Sequence, residues 1–240
     1  MQAGEHSDLG DRIDAMAELV TAQCDLDAIL TMAAPAPRAP MPPSSLRPPG
    51  QRIAVARDDA FAFFYPHLAR WWRDAGAEST FFSPLADEAP ADHCDSCWLP
   101  GGYPELHAGR LAGNGRFLAG LRHFAETRPV HGECGGYMVL GRSLEDADGV
   151  LHPMAGLLPV DASFARRKLS LGYRRAILRR DTSFADAGRT MFGHEYHHAT
   201  IVGEGGGEAF ADIADAAGAP LGAAGHRRGL VSGSFFHLIA

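Results

Sequence analysis

Apolar and polar positions change period three times along the chain, and those changes divide it. From Gly10 to Met32, Ile13, Met16, Leu19 and Val20 recur at helical spacing, with Asp8 or Asp11 placed to cap the first turn. Ala33 to Gly50 carries seven prolines in eighteen residues, which excludes helix and central strand and predicts a semi-rigid, extended spacer. Beyond it, short apolar runs alternate with amphipathic ones. Strands are expected at Arg52–Ala56, Thr80–Leu85, Cys97–Leu99 and Pro129–His131, with helices at Phe61–Ala75, Leu106–Thr127 and Met138–Leu144. From Leu157 the texture becomes β-rich: Leu169–Leu178, His194–Val202 and Ala209–Ala214 read as strands, Gly203–Gly207 as a loop, and Arg228–Leu238 closes the chain. The expected fold is α/β, a doubly wound, mostly parallel sheet with a β-rich C-terminal part. Three segments follow: residues 1–32, a helical tail of a domain mostly absent from this chain; 33–50, a linker; and 51–240, the main domain.

In such a sheet, ligands gather at the carboxyl ends of the strands. Two glycine turns fall there. Pro100-Gly101-Gly102 ends the third strand, and Gly132-Glu133-Cys134-Gly135-Gly136 follows the fourth. The second has the cysteine form of a nucleophile elbow, in which strand turns sharply into helix and flanking glycines leave room for the neighbouring backbone. Cys134 is the candidate nucleophile, and the N–H of Gly135 is aimed at a developing oxyanion. A thiol nucleophile needs a base. Among twelve histidines, His237 follows the small-residue turn Ser232-Gly233-Ser234 and is the candidate.

Other constellations weigh less. His194-Glu195-Tyr196-His197-His198 spells the zinc-protease letters, but Gly193 before it and Thr200-Ile201-Val202 after it favour a strand. On a strand the two outer histidines would stand roughly 13 Å apart, too far to share a zinc, so no metal is expected. Cys94 and Cys97 form a lone pair with two residues between them, without the second pair of a zinc site. The chain's only lysine, Lys168, lies outside any glycine-rich loop, so there is no phosphate loop. A net charge of −7 argues against nucleic-acid binding. Four cysteines suit a reducing compartment, the N-terminus is polar and acidic, and no run is long enough for a membrane span. A cytoplasmic protein without membrane contact is expected.

Five motifs in order, Leu99-Pro-Gly-Gly-Tyr-Pro-Glu-Leu-His107, Gly132-Glu-Cys-Gly-Gly-Tyr-Met138, Leu171-Gly-Tyr173, Gly193-His-Glu-Tyr-His197 and Gly233-Ser-Phe-Phe-His237, resemble the glutamine amidotransferase domain of cobyrinate (or hydrogenobyrinate) a,c-diamide synthases. The resemblance covers residues 52–240. Residues 1–32, with Gln2-Ala-Gly-Glu5 and Asp25-Leu-Asp-Ala-Ile-Leu30, resemble the end of that family's ATP-dependent synthetase domain. The resemblance implies a class I amidotransferase-like fold and glutamine hydrolysis through a γ-glutamyl thioester. Carried onto this chain, Cys134 is the nucleophile and His237 the residue that raises its reactivity, and Gly101, Gly102 and Gly135 form the oxyanion hole. It implies no cofactor in this chain, with ATP and Mg serving the synthetase domain that activates the a and c carboxylates of a corrinoid acceptor. Glutamine and the corrinoid are the implied partners, and a homodimer is left open. Related triad enzymes carry a Glu two residues after the histidine. Here that position is Ile239, so Glu195 and His197, on one face of a strand, become the candidates for support. Within the class, cobyric acid synthase and the amidase of peptidoglycan precursors are the alternatives, and a silent docking domain of the same fold is the alternative outside it.

Overall fold

The structure, a computed structural model, describes residues 8–34 and 46–239; positions 1–7, most of the proline-rich spacer at 35–45, and 240 lie outside the described residues. The chain divides into two compact units, Met1–Pro43 and Ser44–Ala240, and the division falls inside the proline-rich segment. In the first unit the single expected helix is two. Helix α1 spans Leu9–Gln23 and α2 spans Leu26–Met32. The break comes where Asp25 turns extended and its side chain accepts from the Ala28 N–H at 2.9 Å, capping α2. Neither Asp8 nor Asp11 caps α1 with its side chain: Asp8, at the N-cap position, accepts instead from the Arg12 guanidinium at 2.8 Å. Neither helix buries a residue.

The second unit opens with strand β1 (Arg52–Ala56), helix α3 (Pro66–Asp74), β2 (Glu78–Phe82), β3 (Ser96–Leu99), α4 (Ala108–Gly113), α5 (Gly115–Ala125), β4 (Val130–Glu133) and α6 (Gly135–Leu140). Eleven strands follow: β5 (Ser143–Glu145), β6 (Leu151–Pro153), β7 (Val160–Ser163), β8 (Ser170–Leu178), β9 (Thr190–His197), β10 (Thr200–Glu204), β11 (Ala211–Asp215), β12 (Pro220–Ala224), β13 (His226–Arg228), β14 (Val231–Ser234) and β15 (His237–Leu238). The main sheet runs β13-β14-β4-β3-β1-β2 and is parallel except for β13. The chain leaves β1 for β2 on one side and returns to β3 on the other, so the strand ends diverge between β1 and β3, where α/β sheets open a crevice.

Alternation along β1 and β3 divides the core in two. Ala54, Ala56, Cys97 and Leu99 face a cluster containing Phe117, Leu121 and Tyr137 from α5 and α6. Ile53, Val55 and Trp98 face Leu68 and Trp72 of α3 together with Leu178, Met191, Ile213, Phe236 and Leu238. Those last residues belong to the antiparallel sheet β12-β11-β8-β9-β15 and its approach, which therefore covers the second face of the parallel sheet. A third sheet, β10-β7-β5-β6, completes the unit. The α/β sheet with a β-rich C-terminal part is the expected architecture.

Four local expectations need correcting. The helix after β1 starts at Pro66 rather than Phe61, because a residue before proline is held extended; Phe63 and Tyr65 therefore lie in extended chain. Asn114, between Gly113 and Gly115, splits the expected Leu106–Thr127 helix by donating to the carbonyls of Pro84 and Leu85 at 2.7 and 3.2 Å. The helix after Cys134 begins at Gly135 and ends at Leu140, and Ser143 already belongs to β5. The run His194–Val202 is two strands of different sheets parted at His198-Ala199, and Gly203 and Glu204 lie in β10 instead of a loop.

Candidate active site

Cys134 stands alone between β4 and α6 with φ 46° and ψ −101°, one of two non-glycine residues with positive φ among the described residues. A side chain in that region is strained and is held there by its surroundings. Its N–H donates to the Ser234 carbonyl at 2.8 Å, and its carbonyl accepts from Met138 at 3.1 Å. The flanking glycines are steric necessities. A Cβ on Gly136 would overlap the Leu99 carbonyl, and one on Gly132 would lie 2.7 Å from both the Gly136 carbonyl carbon and Leu140 Cδ1.

The turn after β3 comes up against this elbow. The Gly101 carbonyl is tied to the Phe63 N–H at 2.9 Å, a Cβ on Gly102 would strike the Ala60 carbonyl, and the Gly102 nitrogen lies 3.0 Å from where a Gly135 Cβ would stand. The Gly135 N–H favours the Cys134 thiolate. The glycine turn after β3 thus packs against Gly135, the residue that follows the thiol.

His237 reaches the same turn from the far end of the chain. Strand β14 lies parallel to β4 with Ser234 beside Glu133; two phenylalanines then carry the chain across to β15, where His237 pairs with His194 of β9. The His237 ring sits on Gly101: a Cβ there would be 2.5 Å from its Cε1 and 3.3 Å from its Nε2. Its Nδ1 is buried and has no hydrogen-bond partner among the described residues. Packing orients the ring instead. His194 stacks on it at 4.8 Å and 7°, Tyr65 and Phe63 pack at 5.8 and 6.5 Å, and Tyr65 Oη shares a 3.0 Å hydrogen bond with His194 Nε2.

The two supporting candidates share one face of β9, the strand paired with β15. Glu195 is engaged in a nearly buried ion pair with Arg174 at 2.8 Å. His197 stacks flat on Phe235 at 3.8 Å and its Nδ1 binds the Ala199 carbonyl at 2.9 Å. Neither is hydrogen-bonded to His237 among the described residues; both act on the site through charge, Glu195 raising the Cys134 thiol and His197 lowering the His237 imidazole. Sequence reasoning gave no role to His194, met only within the zinc letters and the Gly193–His197 motif, or to Glu133. The Glu133 carboxyl is buried and accepts from the Leu238 N–H at 2.9 Å, joining the strand before Cys134 to the residue after His237. The Trp98 indole N–H lies near enough to favour its carboxylate but forms no hydrogen bond, leaving Trp98 Nε1 and Glu133 Oε2 unpartnered among the described residues. A carboxylic acid in an all-buried strand was the signal available for it. The zinc letters lie on β9 as far as His197, and no group of three metal-ligating side chains occurs among the described residues.

Burial sets the electrostatics. The Cys134 thiol is 4% exposed and pushed up to about 12, chiefly by desolvation, with the Glu105 charge next. His237 is pushed down to about 3, again by desolvation first, then by His194 and His197. Glu133 rises to about 8. In the free chain both members of the pair are therefore held neutral, and the thiol faces the Tyr196 carbonyl at 4.0 Å.

A strained cysteine at a strand–helix elbow, a glycine turn packed against it and a histidine ring seated on that turn, all on an α/β sheet, together describe a glutamine amidotransferase fold. Two solved structures share it: a glutamine amidotransferase (TM-score 0.52, 16% identity, covering 77% of this chain and 89% of that one) and PurLQS from Thermotoga maritima (0.54, 17%, 78% and 87%). Residues 52–240 match the family described as the CobB/CobQ-like glutamine amidotransferase domain, and the chain belongs to that family. It is 56% identical to the hydrogenobyrinate a,c-diamide synthase of Mesorhizobium japonicum and 53% identical to that of Rhodobacter capsulatus, each over the whole of this chain and 55% of the relative. The chain thus spans about half the length of the curated relatives it matches. Among the described residues no helix is long and apolar enough to cross a membrane.

Proposed function

We propose that this chain hydrolyses glutamine by Cys134–His237 thioester chemistry and supplies the ammonia for amidating the a and c carboxylates of a corrinoid, as its relatives' name, hydrogenobyrinate a,c-diamide synthase, suggests. His237 takes the thiol proton as Sγ attacks the side-chain amide carbon of glutamine. The N–H groups of Gly102 and Gly135 hold the resulting oxyanion. Collapse expels ammonia, protonated on leaving by His237, and leaves the γ-glutamyl thioester on Cys134. Water, giving its proton to the same imidazole, then attacks the thioester and releases glutamate and the thiol. ATP and Mg serve the carboxylate-activating partner domain, where the ammonia is used.

The observation that carries this reading is the positive-φ Cys134, wedged between glycines, with the Gly101-Gly102 turn packed against the Gly135 that follows it. The high thiol and low imidazole favour a site that is idle until substrate or the activating domain is present, over a silent docking domain, which has no need to keep a strained cysteine. The test is labelling with 6-diazo-5-oxo-L-norleucine, a diazo-ketone analogue of glutamine, followed by mass spectrometry. A single adduct on Cys134, absent from Cys134→Ser, is the expected result. Wild-type protein that stays unlabelled at Cys134 even with the synthetase domain supplied would overturn the proposal.

A further inference from the structure

One carboxyl near the elbow has no part in the chemistry above and works against it. The 3₁₀ turn Pro104–His107 follows the Gly101-Gly102 turn and lies on the start of α6, with Pro104 Cδ 2.9 Å from where a Gly135 Cβ would stand. The next residue, Glu105, has its Oε2 sealed from solvent with no hydrogen-bond partner among the described residues. Arg167 is the cation whose field it feels, yet the Arg167 Nε donates elsewhere, to the Phe164 carbonyl at 3.3 Å. Burial lifts Glu105 to about 7. Of the three carboxyls that raise the Cys134 thiol, Glu105 acts more strongly than Glu133, its neighbour in the chain, or Glu195, which is already paired with Arg174.

A negative charge beside a group that must become an anion lowers its reactivity, and a buried oxygen without a partner costs stability. Both costs are relieved once a cation with N–H donors is seated against Glu105. Glutamine carries such a cation three bonds beyond the carbon next to its amide group.

We propose that Glu105 is the receptor for the α-ammonium of the substrate amino acid, and that filling it switches Cys134 on. The inference rests on the glutamine-hydrolysing reading. Binding places a positive charge against the carboxylate, cancels its field at Sγ and lets the thiolate form only when an α-amino acid amide is seated. An amide lacking the amino group would neither bind well nor relieve the thiol. The site's ligand class is therefore the zwitterionic α-amino acid amide, selected by charge as well as by shape.

The test compares two probes on the same 240-residue chain, with the synthetase domain supplied if labelling requires it. One is 6-diazo-5-oxo-L-norleucine and the other is 6-diazo-5-oxohexanoate, which lacks the α-amino group. In wild type, Cys134 is expected to react roughly 10–100-fold faster with the first, the worth of one hydrogen bond to a charged group. In Glu105→Gln that preference should fall to near unity, while alkylation of Cys134 by neutral iodoacetamide becomes faster because the repelling charge is gone. Glu105→Asp should keep part of the preference. An unchanged preference in Glu105→Gln, or slower iodoacetamide labelling in that variant, would overturn the assignment of Glu105. Wild-type Cys134 that reacts with neither diazo-ketone would instead sink the amidotransferase chemistry itself, so the two failures are distinct.

Discussion

Cys134 and His237 meet at one glycine turn but are held there by opposite means. The cysteine is fixed by its own neighbours in sequence: a buried strand before it, a fully buried helix after it and glycines where any Cβ would strike main chain. The histidine is fixed by nothing local. Its position comes from the crossing of β14 into β15, the pairing of β15 with β9, and a stack of rings from His194, Tyr65 and Phe63. The difference teaches that the parallel half of the molecule builds a rigid apex, whereas the antiparallel half delivers the partner group by packing alone, without a hydrogen bond at Nδ1 among the described residues. The first arrangement tolerates almost no change in shape. The second should tolerate changes in chemistry that keep the ring stack.

The largest expected effect comes from the packed side of this comparison. His237→Ala should lower glutamine hydrolysis roughly 10²–10⁴-fold, the usual worth of acid–base help, and should also lower thermal stability, because it empties a buried place in the ring stack. The measurement is glutamate release together with a melting curve. Near wild-type turnover would remove His237 from the proton path, and the contrast between the two regions would then concern structure only.

On the rigid side, stability rather than turnover should suffer most. Gly136→Ala places a methyl into the Leu99 carbonyl, and since both partners are main chain neither can rotate away. A loss of about 3 kcal/mol is expected, at the upper end of overpacking costs. Gly206→Ala provides the control: nothing lies within 4 Å of its Cβ position, and an exposed substitution of this kind should stay within about 0.5 kcal/mol. Denaturant midpoints for the two variants would test the claim, and equal losses would show that the elbow is not specially tight.

This division also explains what could be read from the sequence. The elbow and the Gly101-Gly102 turn were legible because strand–glycine–helix patterns are local, and strand ends in a parallel sheet are where ligands sit. His237 was identified through its small-residue turn and the family motifs. The stacking partner His194 was not, because cross-strand neighbours depend on a register between residues 43 positions apart, here His194 opposite His237. For the same reason, alternation puts Glu195 and His197 on one face of a strand, but sequence cannot say which residue of that strand meets the His237 ring, and it is His194 that stacks on it. Helix limits failed where a single side chain decided them, as at Pro66 and Asn114.

The smallest expected effect concerns the one hydrogen bond that ties the two regions together, from the Leu238 N–H to Glu133 Oε1. Burial raises this carboxyl to about 8, so the folded protein keeps it protonated in a range where the unfolded chain, at the ordinary value of about 4.3, has already lost the proton. The folded state then binds more protons, and its stability falls as pH rises between these values, by up to about 1.4 kcal/mol per pH unit, levelling off above 8. The buried histidines act in a different window: His131 and His237, both lowered to about 3, destabilise the fold as pH drops below about 6.5 and change nothing above it. Among the described residues only Glu105, raised to about 7, overlaps the Glu133 contribution between pH 6.5 and 8, and its share cancels when a Glu133 variant is compared with wild type. Glu133→Gln mimics the protonated acid, keeps an acceptor for Leu238 and cannot ionise. Its stability relative to wild type should climb by roughly 1–2 kcal/mol across that window, read from urea midpoints at fixed temperature, while the two proteins stay parallel below pH 4. If they stay parallel throughout, Glu133 is ionised in the fold. The tie between elbow and histidine would then be charge-assisted, and the packed side of the site would be less purely a matter of shape than its rings suggest.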